Sequence, residues 1–427
     1  MAIQTGKIPV SRFTAASILS LSLVVNLPGL AISPMLGSLE TIFPGTSQLE
    51  EQLLTILPNL LIIPFVLLSG KLSLTPHKRT VVMWGLIIYA VAGIAYLFSS
   101  SMAELIVISC LVGVGAGLII PFSTGLIADV FSGKFRMKEM GRQSGISNAT
   151  LVIATYAVGW LSHGNWHMPF MVYLIPLIPL TMIRGLKNIP SSDLVDSVPT
   201  AAALPAASGP DKPAHEGKIL DGFYVKRIVS VICTYFFISY ATIVISYYCP
   251  FIVEKKDWSS TLSGTVTSLY FLFIFIPGFA LPWILRLLKR STFVVSALIM
   301  AIGLGIFAIF REPWAMCVGA SLSGLGYGIC QPLIYDKASR TVKNQKKSTL
   351  ALSFVLAANY LSVVLTPFII DGLRSLLHAG AVSGFAFILN AILAVIFFII
   401  VRLCHNSFAF GVPEEYFSKE PTQVSGD

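Results

Sequence analysis

Residues 113–121 have the sequence GVGAGLIIP, and residues 324–332 have the sequence GLGYGICQP. Both stretches follow the pattern GxGxGxxxP, and their prolines, Pro121 and Pro332, lie 211 positions apart. Asn148 and Asn359 are separated by the same interval. One glycine-rich stretch would be weak support for a repeat, because small residues are common where membrane helices pack closely. The shared interval indicates two duplicated halves.

The composition places these halves in a membrane. Of the 427 residues, 55% are hydrophobic and only 11% are charged, and the mean hydropathy is +0.80. About a quarter of the residues of a soluble domain are charged, since the domain must present a polar surface to water. The composition therefore excludes a soluble enzyme, a nucleic-acid-binding protein and a disordered scaffold.

Twelve stretches are long and apolar enough to cross a bilayer as helices. Their approximate bounds are 14–36, 52–71, 80–99, 104–130, 142–162, 168–184, 226–250, 261–285, 291–310, 314–337, 348–370 and 380–404. With these spans, 25 of the 29 Lys and Arg residues fall on the side that holds both termini. The positive-inside rule makes that side cytoplasmic, so the net charge of +9 reflects the excess of basic residues on the cytoplasmic side of the membrane. We predict a multi-pass protein of a bacterial plasma (inner) membrane.

Residues 185–225 interrupt the apolar pattern. They are rich in Ala, Pro, Ser and Gly, which predicts a flexible cytoplasmic linker. The linker separates an N-terminal six-helix bundle (1–184) from a C-terminal one (226–404), and a cytoplasmic tail (405–427) follows. The predicted fold is an all-α membrane protein with twelve transmembrane helices in two pseudo-symmetric bundles. Two such halves suit a carrier that holds its substrate between them and rocks to expose it on alternate sides.

The chain resembles the major facilitator superfamily over nearly its whole length. The six-plus-six layout is one feature, and the loop GKLSLTPHKR at 70–79 is similar to the family signature GxxxDRxGRR/K. The glycine-rich fourth span is followed by Pro121 and Asp129, and WHMPF at 166–170 is similar to the WRxxF of many sixth helices. Sugar-porter motifs are absent, so the drug:proton antiporter branch is the most similar. The resemblance implies alternating access and export by proton antiport.

The signature loop keeps only Gly70 and the basic pair Lys78 and Arg79, since Leu74 stands at its acidic position. In the family this loop pairs with the acidic end of the fourth helix and latches the outward-facing state. The resemblance therefore implies a gate of Gly70, Lys78, Arg79 and Asp129, in which Lys78 or Arg79 reaches Asp129. The alternative is that the three charged residues are ordinary interfacial charges.

Proton coupling has little support from interior charges. A proton carrier usually keeps a carboxylate or His inside the membrane, whereas every acidic residue here falls near a span end, in a loop or in a tail. Ser109 also replaces the Arg common in proton antiporters. The coupling candidates are Glu51, Asp129 and Asp336, each about one turn inside its span, and each has the alternative of being a structural cap. A facilitator, or an exchanger driven by its substrate, stays open.

Amide and phenol side chains away from the span ends predict the substrate cavity. On the helices that line it in the family, ten residues qualify: Asn26, Asn59, Asn148, Tyr156, Tyr235, Tyr240, Tyr270, Gln331, Asn359 and Tyr360. Such groups orient a ligand in an apolar pocket, which suits a lipophilic or amphipathic solute. The alternative for each is an interhelical hydrogen bond worth about 1 kcal/mol. The repeat-related Asn148 and Asn359 are the strongest candidates.

Other functions have weaker support. His163 and His167 have the i, i+4 spacing of zinc ligands, but no acidic third ligand is near them. No nucleophile elbow or phosphate-binding loop occurs. We therefore expect no enzymatic activity, metal or cofactor. The expected partners are a small-molecule substrate, the lipid bilayer and protons, with no nucleic acid, and the chain is expected to be a monomer. An uptake carrier or facilitator for an organic nutrient, and a non-transporting sensor or scaffold of the same fold, are the alternatives to an exporter.

Overall fold

The computed structural model describes residues 2–3, 5, 10–32, 42–43, 48–75, 77–161, 165–188, 222–256, 258, 260–310, 312–377 and 382–417. Twelve α-helices occur within these ranges. The N-half contains α1 (Arg12–Ser20), α2 (Gln48–Leu72), α3 (Lys78–Tyr96), α4 (Met102–Val130), α5 (Gly133–Leu161) and α6 (Leu177–Met182). The C-half contains α7 (Val225–Lys255), α8 (Ser260–Leu288), α9 (Thr292–Ile309), α10 (Pro313–Ser339), α11 (Ser348–Leu376) and α12 (Val382–Leu403). Two short strands, Ala2–Ile3 (β1) and Val10–Ser11 (β2), pair antiparallel before α1.

Most of these helices are apolar enough to cross a membrane. Within the described residues nine segments meet that condition, and one of them, Leu262–Ile309, contains both α8 and α9. The helices outside these segments are α1, which is short, and α5, whose apolar half carries Ser144 and Asn148. Of the predicted linker, residues 189–221 lie outside the described ranges.

Three predicted spans differ from the structure. The first was expected to be one long helix, but α1 ends at Ser20 and a 3-10 turn, Leu21–Val24, follows it. The sixth consists of a 3-10 segment, Met168–Leu174, the short α6 and a second 3-10 segment, Ile183–Asn188. Pro169, Pro176 and Pro179 each lack the backbone N–H of a helical hydrogen bond, although α2 stays continuous over Pro58 and Pro64. The fifth begins at Gly133, well before the predicted residue 142.

The glycines of α4 let two neighbouring helices approach its backbone. A Cβ added to Gly113 would lie 2.6 Å from the carbonyl oxygen of Pro58 in α2. A Cβ on Gly115 would lie 2.8 Å from the backbone nitrogen of Tyr89 in α3. Backbone atoms cannot rotate away as side chains can, so these contacts require glycine.

The glycines of α10 repeat this arrangement in the C-half. Gly328 lies against α8, where a Cβ would come within 2.6 Å of the carbonyl oxygen of Ile274. Gly326, the counterpart of Gly115, lies against α9 at the same distance from the carbonyl oxygen of Ser296. In each half the glycine-rich helix is thus packed between the two helices that precede it.

The two halves contact each other at the end of the bundle that holds the 73–77, 131–132 and 340–347 connections, hereafter the basic end. Here Gly70, at the end of α2, lies directly against the side chain of Ser353 in α11. Gly141 of α5 and Gly278 of α8 face each other, and a Cβ on Gly141 would lie 2.5 Å from the carbonyl oxygen of Gly278. The absence of side chains at these crossings allows the halves to close tightly.

We predict that Gly115→Ala destabilises the protein. The added methyl group has to push α3 away from α4, an overpacking that costs about 1–3 kcal/mol. Gly305→Ala in α9 is the matched control, because a Cβ there meets no atom within 4 Å. Thermal unfolding in detergent measures both variants, and equal melting temperatures for the two would contradict the packing role of Gly115.

Candidate functional site

A cavity of about 750 Å³, its opening included, lies between the two halves. The N-half contributes residues from the segment after α1 and from α2 and α5, and the C-half contributes residues from α7, α8, α10 and α11. The lining residues are Val25, Asn26, Pro28, Leu30, Asn59, Asn148, Leu151, Tyr235, Ser239, Thr242, Ile243, Tyr270, Phe271, Ile274, Tyr327, Gln331, Tyr335, Leu356, Asn359, Tyr360 and Val363. Among these described residues none carries a charge, so the cavity wall is polar only through amides and hydroxyls.

The two halves present different chemistry to this cavity. The N-half contributes three asparagines, Asn26, Asn59 and Asn148. The C-half contributes the tyrosine wall, which we define as Tyr235, Tyr270, Tyr327, Tyr335 and Tyr360. Phenol rings offer flat apolar faces with a polar edge, whereas amides offer a donor and an acceptor. A solute in the cavity would therefore meet amides on one side and aromatic rings on the other.

Asn148 and Asn359 each accept a hydrogen bond from the first predicted span of their own half. The Asn26 amide donates to Asn148 Oδ1 at 3.2 Å, and Asn148 Nδ2 donates to the Ser144 carbonyl at 2.7 Å. In the C-half, the Ser239 hydroxyl of α7 donates to Asn359 Oδ1 at 2.5 Å. Asn359 therefore makes an interhelical hydrogen bond, and Asn148 makes one to the segment after α1, while both also line the cavity. The two uses that the sequence leaves as alternatives occur together.

A buried polar network joins the halves beside the cavity. Gln331 Nε2 donates to the hydroxyls of Tyr235 at 3.2 Å and Tyr335 at 3.1 Å, and these two hydroxyls are 2.9 Å apart. From the N-half, the Ser144 hydroxyl donates to Gln331 Oε1. The network lies toward the basic end, since Tyr335 directly precedes Asp336 on α10 and Gln331 lies one turn before Tyr335. A second link joins the halves where the Tyr360 hydroxyl donates to the Val25 carbonyl at 3.2 Å.

Eight of the ten predicted binding residues line the cavity, and Tyr156 and Tyr240 do not. Tyr156 is 80% exposed. It lies eight residues after Asn148, which turns it about 80° around α5, away from the face that carries Asn148. Tyr240 is buried away from the cavity, and its hydroxyl has no hydrogen-bond partner among the described residues.

Four polar lining residues were missed by the sequence analysis: Ser239, Thr242, Tyr327 and Tyr335. Tyr327 lies inside the glycine motif, where the glycines were interpreted as packing positions only. Tyr335 lies near the predicted end of its span and was excluded on that ground. The helical spacing of Tyr327, Gln331 and Tyr335, four residues apart, is the signal that could have identified them as one face.

Two of the four predicted gate residues contact each other. Lys78 Nζ, in the first turn of α3, lies 2.7 Å from Asp129 Oδ2 at the end of α4. Lys78 is thus the residue that reaches Asp129, whereas Arg79 is exposed. This ion pair stays within the N-half. Gly70 contacts the other half instead, through Ser353.

Asp336 forms a charge cluster at the basic end that does join the halves. Its Oδ1 lies 2.7 Å from Arg136 Nε of α5, and its Oδ2 lies 3.0 Å from Arg340 Nε. The side chains of Asp336 and Arg136 are both buried. Asp336 was a coupling candidate, but nothing in the sequence marked Arg136 as its partner, because the two are 200 residues apart. Of Glu51, the third coupling candidate, the structure describes only the backbone in the first turn of α2.

Of the predicted histidine pair, His163 lies outside the described residues. The His167 ring is engaged within the protein. Its Nδ1 is 3.1 Å from Asn165 Oδ1, and its Nε2 is 2.8 Å from the Ser99 carbonyl oxygen. The His167 ring also packs on Trp166, with ring centroids 3.6 Å apart. Both ring nitrogens therefore have polar partners in the protein.

Comparison with known proteins places this architecture among transporters. The family model described as Major Facilitator Superfamily matches residues 13–186 and 228–416. The crystal structure of the proton:xylose symporter XylE, of the same superfamily, aligns with a TM-score of 0.68 at 14% identity. The alignment covers 95% of this chain and 98% of XylE. At this identity the likeness shows the fold.

Curated relatives match a smaller part of the chain. The multidrug transporter protein MdtP of Bacillus subtilis is 33% identical over 124 residues, which are 28% of this chain and 23% of MdtP. The quinolone resistance protein NorA of Staphylococcus aureus is 28% identical over 114 residues, 27% of this chain and 29% of NorA. The matches thus span less than a third of the length of either relative.

We predict that Asp336→Asn destabilises the protein by about 3 kcal/mol, because it leaves the buried Arg136 guanidinium without a counter-charge. Glu414→Gln is the control. It removes an ion pair with Arg290 whose side chains are 68% and 69% exposed, and such pairs contribute less than about 1 kcal/mol. The free energy of unfolding in mild detergent distinguishes the two variants. A loss in Asp336→Asn no larger than in the control would show that the cluster is not a stabilising contact.

Proposed function

Because this chain belongs to the Major Facilitator Superfamily of membrane transporters, we propose that it exports a small lipophilic or amphipathic organic solute by secondary active transport. The observation that carries the proposal is the cavity between the halves, which both halves line. A shared site of this kind can face either side of the membrane in turn when the halves rock against each other.

The chemistry of the cavity supports the substrate class. A solute with several charges would lose its hydration there without gaining a counter-charge, which is costly in a buried site. The tyrosine wall instead offers aromatic faces to a flat or lipophilic solute. Asn26, Asn148 and Asn359 offer donors and acceptors that orient its few polar groups.

Export is supported by the curated relatives. MdtP carries the name of a multidrug transporter and NorA that of a quinolone resistance protein, so both names refer to organic drugs, and resistance is the expected result of exporting them. The XylE neighbour is a symporter, and at its low identity it informs only the fold. The proposal of export therefore depends on the two relatives and on the uncharged cavity.

We assign the basic end to the cytoplasm, since basic loops remain on that side. In this orientation the contacts of Gly70 with Ser353 and of Arg136 with Asp336 close the cytoplasmic side. The transport cycle then requires these contacts to separate so that a solute can enter from the cytoplasm. The Lys78–Asp129 pair holds the start of α3 to α4 and keeps the α2–α3 connection in the closed position.

We propose that protons drive the cycle through Asp129. Protonation of Asp129 would remove the charge that holds Lys78 and would loosen the closed end. Asp129 is the more accessible of the two described coupling candidates, with 17% of its side chain exposed against 2% for Asp336. Glu51 remains a sequence-based candidate at the opposite end of α2.

We predict that Asn359→Ala weakens binding of a transported solute by about five- to tenfold, the loss of one hydrogen bond. Asn390→Ala is the matched control, because Asn390 is buried in α12 and lies outside the cavity lining. Fluorescence titration with a lipophilic aromatic dye and with a quinolone measures both variants. Equal affinity in Asn359→Ala and wild type would assign Asn359 a structural role only.

We also predict solute flux that depends on a pH gradient. In proteoliposomes, the full chain should move the dye or the quinolone in exchange for protons that flow down their gradient. Xylose serves as a control solute that should not move. Asp129→Asn should abolish the dependence on the gradient while solute binding persists. Flux that is equal with and without a gradient would support a facilitator instead, and no flux of any solute under any gradient would contradict the transport proposal.

A further inference from the structure

The chain after α12 folds back across the basic end. We define residues 404–416 as the strap. Lys337 Nζ of α10 donates to the Phe408 carbonyl at 2.6 Å and also to the Gly411 carbonyl. Phe410 packs on Phe293 of α9 and Phe397 of α12, with ring centroids 5.9 Å and 6.0 Å apart. These contacts fix the strap to the C-half.

The end of the strap reaches both halves. Its last turn, Glu414–Tyr416, lies against α5 of the N-half and α8 of the C-half. Tyr416 is 4% exposed, although it lies outside the predicted spans in a polar part of the chain. The hydroxyl of a buried tyrosine usually finds a hydrogen-bond partner.

That partner is the carboxylate that joins the two halves. The Tyr416 hydroxyl donates to Asp336 Oδ2 at 2.6 Å, and Arg340 Nη2 donates to the same hydroxyl. The Arg340 guanidinium also lies over the Tyr416 ring, 5.1 Å from its centroid. Burial, together with the Asp336 charge, raises the pKa of the Tyr416 phenol well above its usual value, so the hydroxyl stays protonated and donates.

The two oxygens of the Asp336 carboxylate have different partners. Oδ1 lies against Arg136 of the N-half, while Oδ2 is held by Tyr416 and Arg340. Holding Oδ2 sets the orientation of the carboxylate, so that Oδ1 points at Arg136. Without the Tyr416 hydroxyl, Oδ2 keeps only Arg340, so the carboxylate is held less firmly and its charge has to be met by the arginines alone.

We infer that the strap is a built-in latch of the closed basic end and that Tyr416 is its positioning residue, acting on the Arg136–Asp336 bridge between the halves. The inference rests on the proposed alternating-access function. When the basic end opens, Arg136 has to leave Asp336, so a tyrosine that keeps the carboxylate in place favours the closed state. The strap thereby sets how often the cavity faces the basic side.

The experiment measures the distance between the halves at the basic end of the full chain in lipid nanodiscs. Spin labels replace Lys138 of α5 and Arg402 of α12, both exposed, in a background without the native cysteines. Tyr416→Phe keeps the ring and removes the hydroxyl. We expect the ratio of open to closed distances to rise on the order of tenfold, the effect of losing a hydrogen bond to a charged group.

Two further variants make the result specific. Tyr224→Phe is the matched control, because Tyr224 is an exposed tyrosine at the start of α7, and it should leave the distances unchanged. Arg136→Gln removes the bridge itself and should open the basic end. If Arg136→Gln opens it and Tyr416→Phe does not, the strap inference is overturned while the bridge stands. If neither variant changes the distances, the inference is also overturned, and solute flux in the wild type still tests the transport proposal separately.

A purely structural role of Tyr416 would show as lost stability without a change in distance. Melting temperatures of Tyr416→Phe and Tyr224→Phe are therefore compared in the same nanodiscs. Equal melting temperatures with a shifted distance distribution support the latch. A lower melting temperature for Tyr416→Phe with an unchanged distribution overturns it.

Discussion

Helix backbones in this protein approach each other more closely than side chains would allow, and both halves depend on this approach. Gly113 and Gly115 bring α4 against α2 and α3, and their counterparts in α10 do the same for α8 and α9. In a bilayer, apolar surface gives no preference for helix contact over lipid contact, so close packing has to hold the helices together. The same close packing makes each half a firmly packed unit.

The contacts between the halves are of a different kind. Small residues meet at the basic end, and a polar network of Ser144, Gln331 and tyrosine hydroxyls lies between that end and the cavity. One buried carboxylate, Asp336, receives an arginine from the other half. In the proposed transport cycle, polar contacts of this kind would be exchanged for water or for other partners, whereas the glycine crossings within each half would be kept. The molecule thus combines two firmly packed halves with a polar junction between them.

Much of this could be predicted from the sequence. The family and the fold class of twelve helices in two halves are confirmed. They could be predicted because hydropathy, the repeat and the position of the linker each depend on local sequence. The cavity lining was predicted less completely. Tyr156 is exposed and does not line the cavity, because the direction of its side chain depends on the rotation of α5. Tyr327 was overlooked because a motif that indicates helix packing also contains a residue that lines the cavity. Hydropathy likewise did not show that the sixth span consists of short helical segments.

By itself, the sequence determined the membrane setting, the number of spans, the duplication and the family, since these follow from composition, periodicity and repeat interval. Only the tertiary structure decided which polar groups meet. Arg136, Asp336 and Tyr416 come from three distant parts of the chain, and their contact exists only because α5, α10 and the strap converge at the basic end. The division of the cavity into an amide side and a tyrosine wall has the same origin. No local pattern encodes it, because it results from how two similar halves with different side chains face each other.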